Sequence, residues 1–95
     1  MQNELIIVSE YCSKCNIEPS FIDLLEEEGL IDVVSEDGER YLYCSQLSEL
    51  ERYTRFYYEL SINVEGIDVI HHLLRRMEEM QQEMCELRNR LRLLD

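Results

Sequence analysis

The sequence predicts a mostly α-helical fold with one small β-hairpin and a long C-terminal helix. Apolar residues recur at helical spacing in several segments, and one Glu-Asp-Gly turn lies between two short strand-like runs. The last quarter of the chain carries a heptad repeat. A chain of 95 residues is expected to form one small domain with at most one appended element.

Two short helices are predicted near the start, over residues 10–15 and 19–28. Asn16 tolerates the left-handed conformation in which helices end, so it is expected to end the first one. Pro19 suits the first position of the second helix, and Gly29 follows its end. The spacing therefore indicates a helix-turn-helix.

A two-stranded wing is predicted to follow, with residues 30–35 and 40–43 as its strands and Glu36-Asp37-Gly38 as the turn. The apolar residues 5–8 are interpreted only as a lead-in to the first helix. The hairpin would therefore be the whole sheet.

A third helix is expected after Ser45, which can cap it. Its apolar residues are spaced by three or four and so share one face: Leu47, Leu50, Tyr53, Tyr57 and Leu60. The helix is expected to end near Ser61, and Asn63 is the predicted cap of the last helix.

The last helix contains an unbroken heptad register. Its apolar residues are separated alternately by three and four positions: Ile70, Leu73, Met77, Met80, Met84, Leu87, Leu91 and Leu94. Such a narrow apolar seam is typical of a coiled coil. We call the part from residue 77 onward the pairing stripe: Met77, Met80, Met84, Leu87, Leu91 and Leu94.

The predicted organisation is a head over residues 1–66 and a C-terminal helix over residues 67–95. The helix is expected to pack on the head to about residue 77 and to dimerise beyond it, because the apolar set is wide before that point and narrow after it. A monomer whose tail folds back on the head is the alternative, against which the narrow seam argues. Methionines specify partner geometry poorly, so a different helix as partner also stays open.

The net charge of −12 lies entirely on the front of the chain. Residues 1–70 hold four basic and 16 acidic side chains, whereas residues 71–95 hold five of each. A phosphate backbone would be repelled by such a head, which argues against nucleic acid and favours a basic protein partner. No apolar run approaches the roughly 20 residues of a membrane span, and residues 1–8 lack the features of a secretion signal, so we expect a cytoplasmic protein.

The cysteines and histidines suggest a site only weakly. Cys12 and Cys15 form a C-x-x-C pair to which Cys44 could add a third metal ligand, but a packing role as small buried side chains of the first helix is favoured. His71 and His72 are adjacent and point about 100° apart on a helix, so they do not chelate one ion together. We predict no metal, no cofactor and no catalytic set.

The order of elements resembles that of the MerR-type winged-helix proteins. The segments that carry the resemblance are short: Glu10-Tyr11-Cys12, Glu28-Gly29-Leu30, Tyr41-Leu42-Tyr43, Glu59-Leu60-Ser61-Ile62 and Glu65-Gly66-Ile67. The resemblance implies a winged helix-turn-helix head followed by a coiled-coil helix. The chain departs from the operator-binding members of the family, whose second helix carries basic residues at the positions held here by Ser20, Asp23 and Glu27.

Within that superfamily the chain is similar to the chaperone modulator CbpM family. The segment Glu10-Tyr11-Cys12 and the turn over residues 63–67, which runs straight into one long helix, carry this likeness. It implies a non-enzymatic protein that binds the J-domain of a DnaJ/CbpA-type co-chaperone and inhibits its work with Hsp70. The alternative is a MerR-type DNA-binding transcription regulator.

The candidate partner-binding residues are the acids of the second helix and of the wing. We call them the acidic face: Asp23, Glu26, Glu27, Glu36, Asp37 and Glu39. A solvated surface without a partner would give the same charge pattern. A charge run is usually such a solvated surface, and a partner site stays open beside it because Asp23 and Glu27 occupy the helix face that operator-binding relatives use for recognition.

Overall fold

The computed structural model of the chain describes residues 4–94. The elements follow in this order: β1 Leu5–Ile7, α1 Val8–Cys15, α2 Pro19–Glu27, β2 Val33–Glu36, β3 Glu39–Tyr43, α3 Leu47–Thr54 and α4 Val64–Leu94. A winged helix-turn-helix head followed by a long C-terminal helix is the predicted fold class, which is confirmed. The predicted head starts at residue 1 and the predicted C-terminal helix ends at residue 95. Residues 1–3 and 95 lie outside the described residues.

The turns around the helix-turn-helix follow their local sequence. Asn16 adopts a left-handed φ of 57° directly after α1, and Pro19 occupies the first turn of α2, as predicted. Gly29, with a φ of 77°, follows the end of α2. The start of α1 differs from the prediction, because it begins at Val8 directly after β1, with no side-chain cap.

Within residues 4–94 the sheet has three antiparallel strands in the order β1-β3-β2, not the predicted two. The hairpin turn is the expected one, since Asp37 and Gly38 have φ values of 53° and 79° and a two-residue type I′ turn needs both positive. The added strand is β1, which pairs with β3 through residues such as Ile6 opposite Leu42. The apolar residues interpreted as a lead-in are therefore a sheet edge.

One core joins the sheet to all parts of the head. Ile22 and Leu25 of α2, Leu42 of β3, Leu50 of α3 and Ile67 of α4 are each 0% exposed. Because these side chains come from different elements, α2, the wing and the start of α4 are held in one fixed arrangement.

The third helix differs from its prediction at its start and in the form of its last turn. Residues Cys44–Gln46 form a 3₁₀ turn before α3, and Ser45 provides no cap. After α3 the helical segment continues as a π-helical turn, Arg55–Glu59, and it ends near Ser61, as predicted, where φ is 58°. Leu60 is 62% exposed and does not join the apolar face, because it lies after the turn has closed.

Helix α4 begins at the predicted cap. The Asn63 Oδ1 accepts a hydrogen bond from the Gly66 N–H at 2.8 Å, and Ile67 is fully buried. Leu74 is the last described residue of α4 that is even partly buried, and Met77 is 55% exposed, so contact with the head ends about one turn before residue 77. Within residues 4–94, no helix has the length and apolar character needed to cross a membrane.

Candidate functional site

Helix α2 is the second helix of the helix-turn-helix, the position from which such proteins read DNA. Its apolar side buries Phe21, Ile22 and Leu25, which leaves Asp23 and Glu26 exposed on the opposite side. The helix contains no lysine or arginine. Its outward surface is therefore anionic, as the sequence indicates.

Arg40 on β3 divides the acidic face. Its Nη2 donates a hydrogen bond to Asp23 Oδ1 at 2.7 Å and lies 3.6 Å from Glu26 Oε1. The basic residue of the wing thus ties the wing to α2 and neutralises part of the helix charge. The Arg40 guanidinium is therefore already paired with two carboxylates, those of Asp23 and Glu26.

The wing acids lie at the tip of the hairpin. Glu36 and Glu39 are paired across β2 and β3, with Asp37 in the turn between them, and all three are exposed. Like charges directly opposite each other on a hairpin are destabilising. The structure thus gathers the acidic-face residues into two sets, one on α2 around Arg40 and one at the wing tip.

A groove that sequence reasoning missed lies between the C-terminal end of α2 and the start of α4. We call it the α2–α4 groove; it has a volume of about 190 Å³ and is lined by these residues: Leu24, Glu27, Glu28, Tyr57, Asn63, Val64 and Glu65. Glu27 is the one acidic-face residue in it. Leu24, an apolar residue 41% exposed among acids, is the signal that could have pointed to it.

Two carboxylates of the groove are placed against the helix dipole. Glu27 is the last residue of α2 and Glu28 is its C-cap, where the helix carries partial negative charge. An acidic side chain at that end costs about 0.3–1 kcal/mol when exposed. The groove therefore concentrates negative charge at some expense in stability.

A hydrogen-bonded chain holds α4 against α3. Tyr53 donates its hydroxyl proton to Glu49 Oε1 at 2.8 Å, so its oxygen accepts the Nδ1–H of His71 at 3.1 Å. Burial, together with the Glu49 carboxylate, raises the pKa of Tyr53. His71 is thus a domain-edge residue, as predicted, and His72 lies on the exposed side.

The cysteines do not form a site within residues 4–94. Cys12 is buried, and burial raises the pKa of its thiol, which fits the predicted packing role. Cys15 is exposed, so that role is wrong for it. In the described part of the chain no group of three or more histidine, cysteine, aspartate or glutamate side chains could hold a metal.

A second concavity, of about 250 Å³, lies between α1 and α3. Tyr11, Cys15 and Arg55 are among its lining residues, and burial raises the pKa of Tyr11.

The residues of the pairing stripe are exposed in the single chain. Their exposed fractions are large: Met77 55%, Met80 47%, Met84 56%, Leu87 56%, Leu91 64% and Leu94 82%. The stripe extends beyond the head on a helix of 31 residues. A row of half-exposed apolar side chains of this length is typical of an interaction surface.

The helix-turn-helix, the hairpin wing and the appended helix define a winged helix-turn-helix protein. The profile described as "MerR HTH family regulatory protein" matches residues 6–89. The chain therefore belongs to the MerR HTH family of regulatory proteins. No curated protein and no solved structure matches it.

Proposed function

We propose that the protein is a non-enzymatic regulator that binds the J-domain of a DnaJ/CbpA-type co-chaperone with its acidic head and inhibits its co-chaperone activity with Hsp70. The single observation that carries the proposal is the anionic outward surface of α2, the recognition helix, which contains no lysine or arginine. The ion pair of Arg40 with Asp23 at 2.7 Å adds to it, because it occupies the arginine of the wing. The CbpM-like features of the sequence supply the identity of the partner.

The electrostatics of the head favour protein over DNA. Affinity for duplex DNA comes largely from lysines and arginines that neutralise phosphates. Here the recognition helix is anionic, the wing tip carries Glu36, Asp37 and Glu39, and Arg40 is turned inward to α2. J-domains present a basic helix to Hsp70, and an acidic surface of this kind complements it.

Dimerisation is the second part of the proposal. The pairing stripe repeats with a two-in-seven period and matches a second copy of itself, and the tail that carries it is charge-neutral. Two copies joined by this helix would hold two acidic heads at a fixed separation. A partner with two binding sites would then be bound with increased avidity.

The rival is a DNA-binding transcription regulator, since the matching family is described as regulatory without a statement of what its members bind. In that case the dimer would bring two heads onto a palindrome. The two functions differ in the ligand that is bound, and DNA binding would in addition weaken steeply with salt, because each phosphate contact releases counterions.

The test is calorimetric titration of the full chain with a recombinant J-domain. We expect a dissociation constant of roughly 10 µM or lower, and a fall in J-domain-stimulated Hsp70 ATPase activity. A J-domain whose basic helix carries Gln in place of Lys is the matched control and should bind more weakly. Absence of binding at roughly 100 µM J-domain would contradict the proposal.

A further inference from the structure

We infer that the α2–α4 groove is the point at which the head holds its partner, by receiving one lysine or arginine side chain of a basic helix. The inference rests on the proposed function for the identity of the partner. It goes beyond that function by naming the surface of the head that contacts the partner. That surface is the α2–α4 groove and not Asp23, Glu26 or the wing tip.

The size of the groove sets the class of occupant. Its volume of about 190 Å³ is below the roughly 300–1,000 Å³ of sites for small molecules and cofactors. Its apolar lining residues, which we call the floor, are Leu24, Tyr57 and Val64, and Leu24 is 41% exposed. A single long side chain from another protein fits such a space.

The charge of the groove sets the chemistry of that side chain. Its acidic lining residues, which we call the rim, are Glu27, Glu28 and Glu65, and no lysine or arginine is among the described residues that line it. Within residues 4–94 none of these three forms an ion pair, whereas Asp23 and Glu26 hold Arg40. Lysine and arginine combine an aliphatic stem with a cationic head, which matches an apolar floor and an anionic rim.

The walls of the groove are fixed before a partner arrives. Tyr57 packs against the buried Phe21 with ring centroids 4.6 Å apart. The start of α4 is held by the Asn63 Oδ1, which accepts from the Gly66 N–H. Because Tyr57 and the backbone at the start of α4 are already positioned, binding requires little rearrangement of these parts of the groove.

The test compares two variants of the full chain with the same change in net charge. The groove variant neutralises the rim: Glu27→Gln, Glu28→Gln and Glu65→Gln. The wing variant neutralises the tip: Glu36→Gln, Asp37→Asn and Glu39→Gln. Asparagine tolerates the positive φ at residue 37, so both variants should keep the fold, which circular dichroism checks.

Two probes test separately whether the groove binds a basic helix and whether the partner is a J-domain. One is a recombinant J-domain; the other is a synthetic amphipathic helix of lysine and leucine, with a glutamate-for-lysine analogue as its control. We expect the groove variant to lose about tenfold or more in affinity for the lysine helix, and the wing variant to lose about twofold or less. Leu24→Ala should also weaken binding, whereas Val69→Ala, at a residue 57% exposed on α4, should not.

If the groove variant and the wing variant lost equal affinity for the lysine helix, the groove would not be the binding site. Such a result would indicate a diffuse electrostatic surface. Binding of the lysine helix through the groove without binding of the J-domain would support the groove and contradict the proposed partner. If the native protein binds neither probe at roughly 100 µM, both the groove and the proposed function are wrong.

Discussion

Replacing Leu87 by glutamate should convert the protein from dimer to monomer. Leu87 lies in the pairing stripe, and 56% of its side chain is exposed in the single chain. Either orientation of a paired helix would bury this residue in the seam of both copies. The substitution therefore removes two apolar contacts and adds two charges to an apolar interface.

The magnitude follows from the exposed area. Complete burial of a leucine is worth about 1.5–3 kcal/mol, so covering the 56% that is exposed contributes about 0.8–1.7 kcal/mol in each copy. Two unpaired carboxylates in the seam add several kcal/mol of desolvation cost. A total loss of roughly 5 kcal/mol corresponds to more than a thousandfold in the dimer dissociation constant.

Sedimentation equilibrium at roughly 100 µM measures the effect directly. The native chain should sediment at twice its monomer mass of 11.5 kDa, and the Leu87→Glu variant at 11.5 kDa. Asn89→Glu, two positions along at an outward heptad site, makes the same charge change and should stay dimeric. A dimeric Leu87→Glu variant, or a monomeric native chain, would refute the assignment of the seam.

Three further predictions concern the head. Glu28→Gln removes a charge from the C-terminal end of α2, so its melting temperature should rise with a stabilisation of about 0.3–1 kcal/mol, and a fall would contradict the dipole argument. Asn63→Ala leaves the Gly66 N–H without its acceptor and should cost about 1 kcal/mol in a urea titration; an unchanged midpoint would mean that the cap is not needed. Iodoacetamide at pH 8 should label Cys85 well before Cys12, whose burial raises the thiol pKa and blocks access, whereas equal rates would show that the α1 core opens freely.

The parts of the fold that depend on local chemistry could be predicted from the sequence. Asn16 ends α1, Pro19 opens α2 and Asn63 caps α4 because each conformation depends on one residue and its nearest neighbours. The type I′ turn at Asp37 and Gly38 follows for the same reason.

The parts that depend on distant pairing could not be predicted. Strand β1 has three residues, too few to show alternation, and exists because it pairs with β3 near the middle of the chain. The ion pair between Arg40 and Asp23 likewise joins the wing to α2. It divides a charge cluster that the sequence presents as one surface.

The candidate site also has one feature that depends on local sequence and one that depends on distant pairing. The acidic character of α2 is evident from its sequence, but the α2–α4 groove requires the end of one helix to meet the start of another. Glu65 lies far from Glu27 along the chain, and no periodicity connects them. Exposed Leu24 is the local sign of the groove, although a single exposed leucine is ordinary on a protein surface.

Asp23→Lys shows how the structure changes the design of a test. From sequence alone, Asp23→Lys together with Glu27→Lys is expected to weaken partner binding and to leave the melting temperature nearly unchanged. In the structure Asp23 accepts from Arg40 at 2.7 Å, so lysine would place two cations together and loosen the wing from α2. Neutralisation of Glu27 avoids that effect, because Glu27 does not contact Arg40 within residues 4–94.

The most direct test of a protein-binding head is a side-by-side anisotropy titration of a labelled J-domain and a labelled random DNA duplex. The full chain is added to each at low and at physiological salt. We predict that the J-domain is bound at roughly 10 µM or tighter while the duplex stays unbound at both salt concentrations. Submicromolar binding of the duplex that weakens steeply with salt, with no binding of the J-domain, would contradict the proposal and favour a DNA-binding regulator.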